Sequence, residues 1–299
     1  MADRETVSIY LEEPLHQSAV AGTHNFINLV VEVLETARFR VEFHALPITG
    51  NPPAVRSLSH MVSPPNERGL VFRRVYHYPF WQIDAVAQRW HWDTARAPYD
   101  PGQTAPDAAR FYQFWQKRLF GDAPHQARRG GFVYVPLQGH LRRQRLFQSC
   151  TPLEMVGHVV AHSDRKVIAT LHPKESYGRG DLAALEALEN QHVNLTVASG
   201  NMERYLQTCD YVVTQNSGVA FSGYFFGKAA MLFAPIDFHH IAVRADLTCL
   251  AEGFAAVDTL TPDYAHYIWW FWQDQSINAG RDDAGAKIAA RLRRFGWDV

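Results

Sequence analysis

At 299 residues the chain is long enough for one large or two medium domains. Hydrophobic residues make up 47% of it and charged residues 20%, and the formal charge is −1. These values describe a globular protein with a sizeable core and exclude nucleic-acid binding through a global basic field. The N-terminus lacks a basic-then-apolar signal pattern and no apolar run reaches ~18 residues, so neither export nor a membrane span is expected. Three widely spaced cysteines, Cys150, Cys209 and Cys249, form neither a zinc pattern nor a disulfide framework and fit a reducing cytoplasm.

In chain order, Thr6–Leu11 alternates as a strand, and Glu12–Thr23 is polar and loop-like. His24–Thr36 is an amphipathic helix with Phe26, Leu29, Val30, Val33 and Leu34 on one face, and Arg40–Leu46 is the next strand. This makes a βαβ unit with a loop at the carboxyl end of its first strand. Loops there carry catalytic groups, so Glu12, Glu13, His16 and His24 are the candidates for a general acid or base. The plainer alternative is a solvated carboxylate pair and a histidine that caps or packs. Pro47–Glu67 holds five prolines and predicts an irregular insertion. Gly69–Tyr76 reads as a strand, and Trp81–Asp93 and Ala108–Phe120 as helices. The polar, glycine-bounded stretch Gly121–Gly130 is the expected linker.

Beyond it, Phe132–Leu137 predicts a strand ending in Gln138–Gly139, followed by the basic run His140–Arg145, whose arginines could face an acceptor, a phosphate or bulk water, with water the default. Thr151–Glu154 has the form of a capping box with proline at the first helical position. It starts a helix to about His162. Lys166–Leu171 is a strand ending in His172, Pro173, Lys174 and Glu175. Asp181–Glu189 is a helix, Val193–Val197 a strand, and Asn201–Gln207 a short helix. Then Tyr211–Thr214 runs as a strand into Gln215, Asn216, Ser217 and Gly218, Val219–Phe226 as a helix, and Ala230–Phe233 as another strand. The alternation predicts a parallel, doubly wound sheet with two motifs at its carboxyl edge, LHPKE and TQNSG. Together they suit a nucleotide phosphate. His172 would donate to it, Lys174 would add charge, and the free N–H groups near Ser217–Val219, where the NSG turn opens a helix, would complete an anion cradle. The plainer alternative is that Ser217 only caps the helix. Tyr264–Trp272 is an apolar helical run. Ala284–Phe295 is an amphipathic helix with Lys287, Arg291, Arg293 and Arg294 mostly on its polar side.

Four segments in this order carry a family resemblance: VYVPLQG at 133–139, the TPLEM helix start, ATLHPKE at 169–175 and YVVTQNSGVAFSGYFFGKAAMLF at 211–233. The set resembles the bacterial capsule polysaccharide biosynthesis family, which includes Kdo transferases that use a CMP-activated sugar. The resemblance implies a GT-B glycosyltransferase, α/β, with two Rossmann-like domains of parallel sheets and a cleft between them. It also implies donor binding by His172–Pro173 and by the Asn216–Ser217–Gly218 turn, as in CMP-sialic-acid transferases. It covers roughly residues 131–240. The first 130 residues carry no motif of the family, and Thr170–Leu171 stands where the family has a lysine before its His-Pro pair.

The expected function is therefore transfer of a sugar, CMP-Kdo favoured, from a nucleotide donor to a polysaccharide or glycolipid acceptor in surface-glycan synthesis. Donor binding falls to Gln138, His172, Pro173, Lys174, Glu175, Asn216, Ser217 and Gly218. No metal is expected, because no Asp-x-Asp motif is present, and no cofactor beyond the nucleotide-sugar substrate. The expected domains are 1–128 on the acceptor side, 129–264 binding the nucleotide sugar, and 265–299 as helices returning to the first domain. The protein is expected in the cytoplasm, with contact to the inner membrane or an assembly complex left open and no nucleic-acid partner. Two other readings compete: a sugar-nucleotide epimerase or hydrolase of the same architecture, and a non-catalytic subunit of a polysaccharide-assembly complex.

Overall fold

The computed structural model describes residues 4–50, 52 and 55–299. Residues 1–3 of the N-terminal stretch, and 51, 53 and 54 of the proline-rich segment, lie outside the described residues. The chain forms two compact units, one running through Pro98 and joined by Trp270–Val299, the other Tyr99–Trp269. In chain order the elements are β1 (Thr6–Leu11), α1 (Glu13–Val20), α2 (Asn25–Thr36), β2 (Arg40–Ala45), β3 (Arg56–His60), β4 (Gly69–Arg74), β5 (Phe80–Asp84), α3 (Asp93–Arg96) and α4 (Ala108–Phe120). There follow β6 (Phe132–Pro136), α5 (Pro152–His162), β7 (Lys166–Leu171), α6 (Arg179–Gln191), β8 (Leu195–Ser199), α7 (Met202–Thr208), β9 (Tyr211–Thr214), α8 (Gly218–Tyr224) and β10 (Ala230–Leu232). The chain ends with β11 (Val243–Arg244), α9 (Leu250–Thr259), α10 (Tyr264–Trp269), β12 (Ile277–Asn278) and α11 (Ala284–Arg294).

The first unit is built on the sheet β12-β5-β4-β3-β1-β2. Strands β2, β1, β3 and β4 are parallel, while β5 runs antiparallel to both of its neighbours, so this sheet is mixed rather than wholly parallel. Phe26, Ile27, Val30 and Leu34 of α2 are buried with Val7, Ile9 and Leu11 of β1 and with Ile288 and Leu292 of α11. Full burial of each such side chain contributes about 1.5–3 kcal/mol. Phe26 stacks on Trp81 at 4.5 Å between ring centroids.

Three local readings change here. Glu12–Thr23 contains a helix, α1, because Glu12 supplies an extended N-cap backbone and Pro14 fits the first turn. The proline-rich insertion contains β3, whose alternate residues Ser57 and Ser59 are buried serines, so the strand lacks the apolar alternation that marks strands in a sequence. Phe80–Asp84 is a strand rather than a helix start, because its aromatic and β-branched residues pair across to β4.

The second unit carries the all-parallel sheet β8-β7-β6-β9-β10-β11. Its strands are nearly continuous apolar runs because helices cover both faces. The capping box at Thr151 is formed in both directions, with Thr151 N donating to Glu154 Oε2 at 2.8 Å and Glu154 N to Thr151 Oγ1 at 3.1 Å. The helix α9, unmarked in the sequence reading, buries Leu250, Phe254 and Val257.

The division between the units also falls ahead of the expected 128/129 boundary. Helix α4 belongs to the second unit because Tyr112 Oη donates to Tyr224 O at 2.7 Å and Gln116 Nε2 to Phe225 O at 2.6 Å. Residues 265–269 stay there as well. The His266 ring is held between Tyr99 Oη at 2.8 Å and Gln103 O at 2.7 Å. On α11 the basic side chains are engaged within the fold: Lys287 with Asp283 and Gln273 O, Arg291 and Arg294 with Asp93, and Arg293 with Val299 O. Among the described residues no helix is long and apolar enough to cross a membrane.

Candidate active site

Each sheet reverses its winding at one point. In the second unit the chain passes from β6 outward to β7 and β8, then returns to β9 on the other side of β6. Open α/β sheets bind ligands at the carboxyl end of such a switch. A small pocket lies there, lined by Pro136, Leu137 and Gln138 after β6, by Thr214, Gln215 and Asn216 after β9, and by Arg145 and Gln148 of the intervening loop.

The sequence-predicted donor residues Gln138, His172, Glu175, Asn216 and Ser217 follow β6, β7 and β9 at this one edge. The Lys174 amide donates to His172 Nδ1 at 3.2 Å, which leaves Nε2 as the protonated nitrogen of a neutral ring, able to donate. His172 N in turn donates to Tyr177 Oη at 2.9 Å. The Glu175 carboxylate is taken up by Gly139 N. The side chains of Pro173 and Lys174 are exposed. Asn216 Nδ2 donates to Pro235 O at 3.4 Å. Ser217 is buried, and its hydroxyl accepts from Val219 N at 3.3 Å as the N-cap of the seven-residue helix α8, so one of the expected cradle N–H groups is used within the cap.

Gln215 and Arg145 are among the pocket residues outside the predicted set. Gln215 is 7% exposed; its Nε2 donates to Cys150 O at 3.1 Å, while its Oε1 is buried with no hydrogen-bond partner among the described residues. Arg145, from the basic run whose default partner was water and whose alternatives were a phosphate or an acceptor, lines the pocket with its guanidinium against Gly139. The basic run was the only sequence signal for it.

In the first unit the switch lies between β1 and β3, because β2 is on one side of β1 and β3 on the other. Glu12 follows β1 and His60 ends β3, and His60 Nδ1 meets Glu12 Oε2 at 2.5 Å. A carboxylate only accepts, so Nδ1 carries the ring proton. Burial holds the His60 pKa below its ordinary value, with Glu12 opposing that shift and Arg73 and Arg74 adding to it. His24 caps α2 through Nδ1, which accepts from Ile27 N at 3.3 Å, and burial lowers its pKa too. Trp81 lies beside both histidines, at ring-centroid distances of 5.4 Å from His24 and 6.2 Å from His60. Of the four acid/base candidates the structure thus brings Glu12 and His24 to one cluster. Glu13, which accepts from Gln17 Nε2 at 2.9 Å, and His16 lie on α1.

No protein-family model matches the chain, and no curated protein matches it. Solved structures do. A beta Kdo 2,7 transferase, KpsC of Thermosulfurimonas dismutans, aligns over 88% of this chain and 89% of its own at 13% identity, with a TM-score of 0.51. The beta Kdo 2,4 transferase of the same KpsC covers 90% and 98% at 12% identity and a TM-score of 0.44. MnaA of S. aureus, in a co-structure with UDP, covers 97% and 96% at 9% identity and a TM-score of 0.37. The first likeness is one of fold, and the fold is α/β of the GT-B type.

Proposed function

We propose that the protein is a GT-B glycosyltransferase that takes its nucleotide-sugar donor at the switch point of the second sheet. The observation that carries this reading is that Gln138, Arg145 and Gln215 line one pocket at the carboxyl edge of β6 and β9, with His172 directly after the neighbouring β7, in a fold similar to that of a Kdo transferase. His172 Nε2 supplies a hydrogen bond and Arg145 a fixed positive charge to the donor phosphate, and both gain strength as charge develops on the leaving group. Lys174 adds charge from the loop, and Asn216, Ser217 and Gly218 border the same phosphate. Among donors a CMP-sugar such as CMP-Kdo is favoured, because the four ordered motifs resemble the capsule polysaccharide biosynthesis family. The acceptor is then a polysaccharide or glycolipid hydroxyl.

A thermal-shift panel of CMP, UDP, GDP and ADP tests the reading. CMP should stabilise the protein most, by about 2.7 kcal/mol at a hundred times its dissociation constant. Absence of stabilisation by all four nucleotides would remove the reading. Without any acceptor, release of free sugar would replace it with a hydrolase, and conversion of the donor sugar to its epimer with an epimerase.

A further inference from the structure

We infer that the second unit docks on an anionic lipid surface through the loop 139–149 after β6, Leu146 entering the bilayer interface and the neighbouring cations meeting lipid phosphates. The inference goes beyond the glycosyltransferase reading and does not depend on it. Two loops at the carboxyl edge of the second sheet are tied together. Gly139 N donates to the Glu175 carboxylate, and Arg142 Nε donates to Asp181 Oδ1 at 3.3 Å. Residues 139–149 and 172–182 therefore form one surface. It carries Arg142, Arg143, Arg145, Lys174 and Arg179 against Glu175 and Asp181, a surplus of three positive charges on a chain whose formal charge is −1. Arg143, Lys174 and Arg179 are exposed, and among the described residues none of these three side chains has an ion-pair or hydrogen-bond partner. The basic side chains of α11 differ in this respect, since all four are engaged within their own unit.

The apolar part of the surface is a separate observation. Leu146 follows Arg145 directly and is fully exposed, and Leu182, the residue after Asp181, is 41% exposed. Apolar side chains rimmed by charge on a protein surface mark an interaction site. A soluble polyanion would match the cations and leave Leu146 in water. An anionic bilayer matches both, because its phosphates lie just outside the depth at which an apolar side chain leaves water. The cations supply attraction within a Debye length of the surface, and Leu146 makes the contact one with lipid rather than with charge alone.

The test is co-sedimentation of the full chain with vesicles of phosphatidylglycerol and phosphatidylcholine, and with vesicles of phosphatidylcholine alone. The protein should sediment with the anionic vesicles, less so as salt rises, and stay in the supernatant with phosphatidylcholine. Leu146→Ser should weaken partition to the anionic vesicles ~10-fold or more, the loss that goes with burying one leucine. Arg143→Gln should weaken it ~5-fold, the share of one surface cation. Both positions are exposed, so both variants should keep the wild-type melting temperature. Absence of binding to the anionic vesicles overturns the inference. Binding that Leu146→Ser leaves unaltered also overturns it, and gives the surface to a soluble polyanion instead. Neither result touches the donor site, which the nucleotide panel reads without lipid.

Discussion

The carboxylate of Glu175 accepts the amide proton of Gly139, tying the loop after β7 to the end of β6. Gly139 has φ +67°, and a Cβ there would lie 1.9 Å from the Arg145 guanidinium. One residue thus holds two parts of the proposed donor site, the His172 loop through Glu175 and the Arg145 guanidinium through direct packing. Gly139→Ala should cost about 1–2 kcal/mol from the left-handed backbone alone. It should also displace Arg145 and weaken CMP binding. Urea unfolding and CMP titration on the one variant separate these effects, and normal CMP affinity would show that Arg145 does not serve the donor.

His172 makes a sharper claim. The bond from the Lys174 amide braces its loop, yet Nε2 is the nitrogen that would reach a phosphate. His172→Ala should leave the protein folded and weaken nucleotide binding by ~1.5–3 kcal/mol, the range for a hydrogen bond to a charged group. Isothermal titration with CMP reads it directly. A folded variant with unaltered affinity would leave His172 as a loop brace only.

Ser217 and Gly218 divide the same question differently. The buried Ser217 hydroxyl caps α8, so Ser217→Ala should lower stability by ~0.5–2 kcal/mol. If the donor phosphate approaches this turn, Gly218→Val should abolish CMP binding, because a β-branched side chain blocks close approach to the backbone. Melting temperature and CMP affinity on both variants decide. Normal CMP binding by Gly218→Val would place the phosphate elsewhere on the sheet edge.

What could be read from the sequence was what the chain writes locally. The second sheet was legible strand by strand because its βαβ units carry apolar runs, a capping box at Thr151 and turn residues at Asn216–Gly218 in sequence order. Arg145 was visible as a charge, but not as a charge packed on Gly139. Glu12 was a candidate, whereas its partner His60 lies 48 residues away on a strand whose buried serines hid it. That pair is a product of sheet order, which no local pattern encodes. The unit boundary failed for a similar reason. Gly121–Gly130 has linker chemistry, but the hydrogen bonds of Tyr112 and Gln116 to the end of α8 and the residue after it bind α4 to the second unit.

The first unit should also be the acid-labile part of the protein. His77, packed edge-on against Trp272, is pushed by burial down to about 4, with Arg74 adding to the shift, and burial lowers His24 and His60 in the same direction. In the unfolded chain a histidine titrates near 6.5. Above that value neither state binds the proton and His77 has no pH effect. Between about 6.5 and about 4 the unfolded state binds a proton that the folded state refuses, so stability falls as pH falls, and the loss levels off below about 4. His77→Gln removes this group from the balance. Urea unfolding at pH 7 and pH 5 should therefore show a smaller drop for His77→Gln than for the wild-type protein. An equal drop in both would assign the acid sensitivity to His24, His60 and the carboxylates instead.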